Sequence, residues 1–173
     1  SEEAWHRDGQ RLWEEIKKAY KSDRNGQRIK KRWGCRVFLE AYAGEGRLSA
    51  AMAARGWTVI RMDKVYGHAL LDPEVPGVIL WAIGQDLIRL IHMAPVCTTF
   101  SIAYYGPWRT SGCTRSAKYP NGDGSVLKEV EGNQYAAFVA RIIRSCKGTN
   151  TDFSVEQPQT SLMWLMPKLR RCV

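Results

Sequence analysis

The chain has 173 residues, of which 45% are hydrophobic and 25% charged, and its formal net charge is +9. This length and composition fit one globular domain that buries a core. No apolar run reaches the ~20 residues of a membrane-spanning helix, and the polar N-terminus lacks the apolar segment of a signal peptide, so we expect no membrane partner.

The positive charge is clustered in the sequence. Residues 17–33 contain eight basic residues and a single acidic one, Asp23. A clustered basic excess favours a polyanionic partner, most often nucleic acid. A basic surface that serves only solubility is the alternative.

The five cysteines are widely spaced and form no CxxC pair. This spacing argues against a zinc site, and the odd number argues against a complete disulfide framework. We therefore expect no metal site, and free thiols as in an intracellular, reducing compartment. The cysteines are Cys35, Cys97, Cys113, Cys146 and Cys172.

The first predicted element is an amphipathic helix over residues 3–21, followed by the basic segment as a connector. We place a domain boundary there, with an N-terminal helix and basic arm at residues 1–34 and the main domain at residues 35–173. Strands are predicted in the main domain at residues 35–39, 58–62, 87–93 and 152–155, with a weak strand at 66–72. Helices are predicted at residues 47–55, 73–84, 133–146 and 161–169. Strands that alternate with helices predict an α/β domain, with a mostly parallel sheet between helices on both faces.

Acidic, glycine and cysteine residues follow the predicted strands at their carboxyl ends. Ligands of parallel sheets bind at that edge. We therefore expect five stretches to meet there, namely residues 40–46, Asp63, Asp72, residues 95–101 and residues 156–158.

Gly44 and Gly46, with one residue between them, follow the first strand. Glycine lets a ligand lie against bare backbone, and the helix that begins after this turn offers free N–H groups. Asp63 ends the second strand about twenty residues later, where an acid accepts hydrogen bonds from two ribose hydroxyls. The pattern is typical of a site for an adenosine-containing cofactor.

Acidic residues near the turn distinguish two such cofactors. A dinucleotide site normally has a third glycine where this chain has Ser49, and Glu45 would repel a pyrophosphate. The positive sulfonium and amino group of S-adenosylmethionine suit Glu40 and Glu45, so we expect this cofactor rather than NAD. Asp72 is predicted to accept from the adenine amino group, or else to cap the next helix.

Cys97 follows the apolar strand 87–93 on a turn. A thiolate exposed at the carboxyl end of a strand can act as a nucleophile. The alternative is a free cysteine that serves as a small buried apolar residue.

The segment over residues 103–130 has little periodicity, and loops of this length in compact domains are usually functional or mobile. It interleaves aromatic with basic side chains, which suits base stacking beside phosphate contacts. An ordinary surface loop is the alternative. The predicted nucleic-acid contacts here are Ser101, Tyr105, Trp108, Arg109, Arg115 and Lys118.

Three segments resemble motifs of the DNA cytosine-5 methyltransferases. Residues 38–49, FLEAYAGEGRLS, resemble the family's first motif, D-L-F-A-G-x-G-G-L-S. Residues 95–101, PVCTTFS, resemble its P-P-C-x-x-F-S motif, and residues 153–158, FSVEQP, resemble its E-N-V or E-N-P segment. The three occur in the family's order.

This resemblance implies a Rossmann-like class I methyltransferase fold, S-adenosylmethionine as cofactor and nucleic acid as substrate, with DNA favoured over RNA. It implies that Cys97 attacks C6 of a flipped-out cytosine while Glu156 holds the base. It also implies that Tyr42, Ala43 and Pro95 lie at the cofactor.

The chain departs from the family pattern at Arg47, Val96 and Gln157, and neither the later Arg-x-Arg motif nor a target-recognition domain follows. Three interpretations stay open: the sheet is incomplete at the C-terminus of a fragment, a partner chain completes it, or catalysis has been lost. The rival functions are a non-catalytic nucleic-acid-binding or assembly module, and a methyltransferase for RNA or another substrate that does not use Cys97.

Overall fold

A computed structural model describes residues 2–23, 36–108 and 112–172, with the backbone alone for residues 2 and 3. The predicted basic arm beyond residue 23, the boundary at residue 34, Cys35 and Arg109 lie outside the described residues. Helices α1 to α6 span Glu2–Asp23, Arg47–Ala53, Glu74–Gly84, Ile102–Tyr105, Leu127–Cys146 and Pro167–Arg170. Strands β1 to β4 span Val37–Ala41, Thr58–Met62, Leu90–Met93 and Asp152–Val155.

The four strands form one parallel sheet in the order β2-β1-β3-β4. Leu39 in the middle of β1 pairs with Ile60 of β2 on one side and with Ile91 of β3 on the other. All five residues of β1 are buried, as expected for a central strand of a parallel sheet. Helices flank the sheet, so the chain is an α/β protein of Rossmann-like architecture, and the predicted parallel α/β sheet is confirmed.

The strand order reverses between β1 and β3, because the chain adds β2 on one side of β1 and β3 on the other. The order among the described residues matches positions 2-1-4-5 of a doubly wound sheet. In such sheets the ligand crevice lies outside the carboxyl ends of the strands at the point of reversal. A ligand site is therefore expected at the segment that leaves β1.

The chain divides into two compact units. Unit 1 comprises Ser1–Met93 and Ser145–Ser154, and unit 2 comprises Ala94–Arg144 and Val155–Val173.

Helix α1 belongs to unit 1 and packs directly against β2 and α3. Its apolar face buries Leu12, Trp13 and Ile16, which recur at helical spacing. Gly9 allows the close approach, because a Cβ atom at this position would lie 1.8 Å from the carbonyl oxygen of Val59 in β2. The N-terminal helix is thus packed on the sheet rather than held apart from it.

In unit 2 the first five turns of α5 bury an apolar face. Ala136, Val139, Ala140 and Ile143 are all buried and recur at intervals of three and four residues. The chain end packs on this helix, since the Cys172 thiol lies 3.6 Å from the carbonyl oxygen of Ala140.

The weak strand predicted at residues 66–72 is wrong. The backbone N–H groups of Tyr66 and His68 both donate to the carbonyl oxygen of Asp63, and Gly67 adopts φ +82°. These bonds close a 3-10 turn at Lys64–Tyr66 and commit the first amides of this segment to the turn rather than to a strand ladder. The described part of the sheet therefore has four strands.

Two predicted helices have different bounds in the structure, and in both the difference involves a glycine or a proline. Helix α5 begins at Leu127 rather than at residue 133, because it continues through Gly132. The predicted long loop is correspondingly shorter, with α4 at its start. The last helix is divided at Met166, which precedes Pro167 and is extended. Among the described helices, none has the length and apolar character needed to cross a membrane.

Candidate functional site

The glycine turn, residues 42–46, leads from β1 into α2 in unit 1. Three of its residues have left-handed backbone conformations: Tyr42 at φ 64°, Gly44 at φ 52° and Gly46 at φ 71°. The two glycines adopt this conformation without strain, whereas a residue such as Tyr42 rarely does. Residues held in rarely populated backbone conformations cluster at functional sites.

Residues at the end of β2 hold the turn at Gly44. The Gly44 amide donates to the Asp63 carboxylate at 3.1 Å, and the Tyr66 hydroxyl donates to the Gly44 carbonyl oxygen at 2.7 Å. The second carboxylate oxygen of Asp63 accepts from the Val65 amide at 3.2 Å. The structure thus brings together two of the predicted cofactor-binding residues, Gly44 and Asp63.

Glu40 plays a part that the sequence pattern did not reveal. Its side chain is only 5% exposed, and it accepts hydrogen bonds from the amide (2.9 Å) and the hydroxyl of Ser49. Ser49 lies in the first turn of α2, so the carboxylate of a strand residue caps the helix that follows. Both bonds use one oxygen, Oε2.

Two further acidic residues lie at the surface. Glu45 is exposed and pairs with Arg47, whose Nη2 lies 2.8 Å from the carboxylate. This pairing offsets the charge that argued against a pyrophosphate. Asp72 is exposed and accepts from the Glu74 amide at 2.9 Å, which is the helix-capping alternative for this residue.

Arg61 supports the far side of the glycine turn. Its guanidinium lies 4.0 Å from the ring centre of Tyr66 and 5.0 Å from that of Trp5, and its Nε donates to His6 at 3.2 Å. A Cβ atom on Gly46 would lie 2.8 Å from Nη1 of Arg61. The backbone conformation favours glycine at position 46, and a larger residue would also displace the Arg61 side chain.

The residues of the glycine turn fit an adenosine cofactor at one position. Gly44 is exposed, and apart from its two chain neighbours no heavy atom of the described residues lies within 4 Å of a Cβ built there, so its Cα is open to a ligand. Each oxygen of Asp63 accepts one hydrogen bond, which leaves lone pairs for two ribose hydroxyls. Ala43 is buried and Tyr42 is half-buried beside this opening.

The second candidate site is the Cys97 turn, residues 95–101, in unit 2. Cys97 is half-exposed and precedes the 3-10 turn Thr98–Phe100, and its carbonyl oxygen accepts from the Phe100 amide at 2.8 Å. The Ser101 hydroxyl donates to the Thr98 carbonyl oxygen at 3.2 Å. The thiol therefore sits on a hydrogen-bonded turn and is accessible to solvent.

Gln157 joins the Cys97 turn to the segment that carries Glu156. Its side-chain amide donates to the Pro95 carbonyl oxygen, and its own oxygen accepts from the Ser161 hydroxyl at 2.9 Å. Gln157 is buried, whereas the neighbouring Glu156 is exposed. The two predicted catalytic residues thus lie on adjoining segments. The only sequence signal for this role was that Gln157 replaces the asparagine of the family pattern.

The loop after Ser101 presents aromatic side chains to solvent. Trp108 is 93% exposed, and Lys118 lies 5.3 Å from the ring centre of the exposed Tyr119. Beside them runs a groove of about 510 Å³. Its lining residues are Ile102, Tyr105, Gly106, Pro107, Ser116 and Ala117. Tyr105 is held in place by a 2.6 Å hydrogen bond to the Thr160 carbonyl oxygen.

The structure corrects one predicted nucleic-acid contact, Arg115. This side chain is 2% exposed, and its guanidinium donates to Thr99, to Asn133 and to the carbonyl oxygens of Pro120 and Glu129. A cation that is committed to internal acceptors does not contact phosphate at the surface.

The described residues include no group of three or more His, Cys, Asp or Glu side chains placed to hold a metal ion. The chain matches no protein-family model, no curated protein and no solved structure.

Proposed function

We propose that this chain is a class I, S-adenosylmethionine-dependent methyltransferase-like domain that acts on nucleic acid. The observation that carries the proposal is the 3.1 Å hydrogen bond from the Gly44 amide to Asp63. It joins an open glycine turn after β1 to the acid that ends β2, beside the point where the strand order reverses. An adenosine would bind there through its ribose hydroxyls on Asp63 and its edge against Gly44.

The motif resemblance supports cytosine C5 as the methylated atom. In this reaction the Cys97 thiolate would form a bond to C6 of the base as the C5–C6 π bond breaks and its electron pair moves to C5. Glu156 would hold N3 and the amino group and so stabilise the charge that the ring gains. When bound, S-adenosylmethionine would supply the methyl group that C5 takes, with cleavage of its S–CH3 bond and release of S-adenosylhomocysteine. Loss of the C5 proton to water then returns the electron pair, and the bond between Cys97 and C6 breaks.

The cofactor half of the proposal is tested by calorimetric titration of the full chain with S-adenosylmethionine and, separately, with NAD. We expect binding of S-adenosylmethionine only, and a loss of roughly tenfold or more in affinity for Asp63→Ala, because a charged hydrogen-bond acceptor is removed. Asp152→Asn is the matched control, because this exposed carboxylate lies on β4 and pairs only with Arg89 among the described residues. Absence of binding refutes the cofactor assignment.

The catalytic half is tested with oligonucleotides that contain 5-fluorocytosine, which has no C5 proton to lose and so retains the covalent adduct. We expect an adduct that Cys97→Ala abolishes and that Cys113→Ala, a change at another half-exposed free thiol, leaves intact. DNA and RNA strands are compared in parallel. Methyl transfer that survives Cys97→Ala would instead favour a methyltransferase that does not use this thiol.

A non-catalytic nucleic-acid-binding or assembly module is the second candidate. Three carboxylates that were predicted to bind the cofactor accept hydrogen bonds from the protein itself, which favours this candidate. They are Glu40, Asp63 and Asp72. Such a module needs these residues only to cap helices and hold turns. Oligonucleotide binding without binding of S-adenosylmethionine would select this candidate.

A further inference from the structure

Arg115 is a cation in the interior of unit 2. Its Nη1 donates to Asn133 at 2.9 Å and to the Pro120 carbonyl oxygen, and its Nη2 donates to the Glu129 carbonyl oxygen at 2.7 Å and to Thr99 at 3.3 Å. The guanidinium therefore joins three separate stretches: the 114–122 loop, α5 and the 3-10 turn after Cys97. Removing a charge from water is costly unless the buried group is hydrogen-bonded, and these four acceptors offset that cost for Arg115.

The absence of a side chain at Gly132 leaves space for the Arg115 guanidinium. A Cβ atom on Gly132 of α5 would lie 2.7 Å from the Thr99 hydroxyl oxygen, 2.9 Å from Nη2 of Arg115 and 3.0 Å from the Phe100 ring. Glycine costs helix stability relative to alanine, so its place in the middle of α5 reflects this cluster. The Phe100 ring lies face-on to the guanidinium, with 3.9 Å between Cζ and the ring centre.

We propose that Arg115 is a positioning residue for Cys97. It touches neither substrate nor cofactor in this proposal. It fixes Thr99 and Phe100, and the Phe100 amide in turn bonds the Cys97 carbonyl oxygen at 2.8 Å. The guanidinium therefore stabilises the turn that carries the thiol through its contacts with Thr99 and Phe100. The inference rests on the proposed role of Cys97 as a nucleophile, although its first test does not need catalysis.

That test compares the wild-type full chain with Arg115→Met, whose side chain fills a similar space without donors. Alkylation of each cysteine by iodoacetamide is followed by peptide mass spectrometry, and hydrogen exchange is followed at the Phe100 amide. We expect alkylation of Cys97 to accelerate at least threefold and Phe100 to lose protection, while buried Cys146 and Cys172 stay protected. Arg141→Met, a change at an exposed cation on α5, should alter none of these readouts.

Thr99→Val provides a second variant that leaves Arg115 in place and removes one of its acceptors. We expect the same changes at Cys97 and Phe100 with smaller amplitude, which keeps the proposal testable if Arg115→Met does not fold. Unchanged Cys97 alkylation in both variants would overturn it. The proposal would also be overturned if alkylation of Cys146 and Cys172 accelerated as much as that of Cys97 in folded Arg115→Met. The guanidinium would then stabilise the whole fold rather than the Cys97 turn.

The covalent trapping reaction separates this inference from the proposed function. If the wild type traps 5-fluorocytosine DNA, Arg115→Met should trap it at least tenfold more slowly with unchanged affinity for S-adenosylmethionine. If the wild type forms no adduct, the nucleophilic role of Cys97 fails, whereas the alkylation and exchange results still decide whether Arg115 holds the turn.

Discussion

Gln157 donates its side-chain amide to the backbone carbonyl oxygen of Pro95, although 62 residues separate the two in sequence. The other end of the same amide accepts from Ser161 at 2.9 Å. Because both ends of the buried amide are satisfied, Gln157 is a rigid link between the Cys97 turn and the segment of Glu156. The residue beside the predicted catalytic acid, rather than the acid itself, makes the structural contact.

Gln157→Ala should therefore lower the free energy of unfolding and slow covalent trapping of 5-fluorocytosine by Cys97. The change leaves the Pro95 carbonyl oxygen without its donor, which costs about 1–3 kcal/mol. Urea unfolding measures this loss, and Gln159→Ala, at an exposed position on the same segment, should stay within about 0.5 kcal/mol of wild type. Equal unfolding midpoints for the two variants would contradict the link.

Gly9→Ala should destabilise the protein because α1 would have to move away from β2. The added methyl group would lie 1.8 Å from the Val59 carbonyl oxygen, and overpacking of this kind costs about 1–3 kcal/mol or more. Gly84→Ala is the matched control, since no atom of the described residues lies within 4 Å of a Cβ at this helical position. Thermal unfolding should rank Gly9→Ala below wild type and Gly84→Ala at or slightly above it.

The stability of the chain should fall in alkaline solution through Cys146. Burial, with a smaller contribution from Asp152, raises the pKa of this thiol from 9.0 to about 11. The unfolded chain ionises first, so the stabilising contribution is complete below pH 9 and is lost as pH rises towards 11. Urea unfolding at pH 8 and pH 10.5 should show a smaller loss for Cys146→Ala than for wild type. Parallel losses would show that this thiol does not contribute.

His68 should make the fold sensitive to acid. It is buried beside Trp13, and its Nδ1 atom has no partner among the described residues. Burial, and then the charge of Lys17, lower the pKa of His68 below 6.5. The unfolded chain therefore takes up the proton first, and stability is lost as pH falls below 6.5. His68→Phe, which cannot be protonated, should lose less stability than wild type between pH 7.5 and pH 5 in urea unfolding.

Trp108 should contribute to oligonucleotide binding by stacking on a base. Base stacking on an aromatic side chain is worth about 1–3 kcal/mol, so Trp108→Ala should weaken binding of single-stranded DNA roughly 5- to 150-fold. Leu127→Ala is the control, because Leu127 is an apolar residue of the same unit with similar exposure, 84% against 93%. Fluorescence anisotropy at several salt concentrations measures both, and equal affinities would remove Trp108 from the proposed surface.

Sequence periodicity predicted most elements well because each depends on local pattern. The strands at residues 58–62 and 152–155 have the predicted bounds, and the start of α2 at Arg47 was also predicted. The errors have both local and distant causes. The turn after Asp63 is closed by the carbonyl oxygen of Asp63 itself, which the hydrophobic pattern does not show. Gly132 was predicted to lie outside the helix, whereas it lies inside α5 where Arg115 and Thr99 occupy the space that a side chain would take.

The site residues with local sequence signals were predicted, whereas those whose role depends on tertiary contacts were not. The sequence located the glycine turn, Asp63 and Cys97, because glycines, an acid after a strand and a cysteine on a turn are local signals. It misassigned Arg115, since nothing in the loop composition distinguishes a cation at the surface from one that is surrounded by carbonyl oxygens. It also gave no sign that Glu40 caps α2.

The order of amino acids by itself determined that this protein is a parallel α/β domain with glycines after its first strand, because hydrophobic spacing and glycine conformation act over a few residues. Only the tertiary structure decided which polar groups remain open to a ligand and which are used internally. Asp63 retains free lone pairs while Arg115 has become part of the core, because a polar group removed from water must find partners in whichever chain segments folding brings beside it.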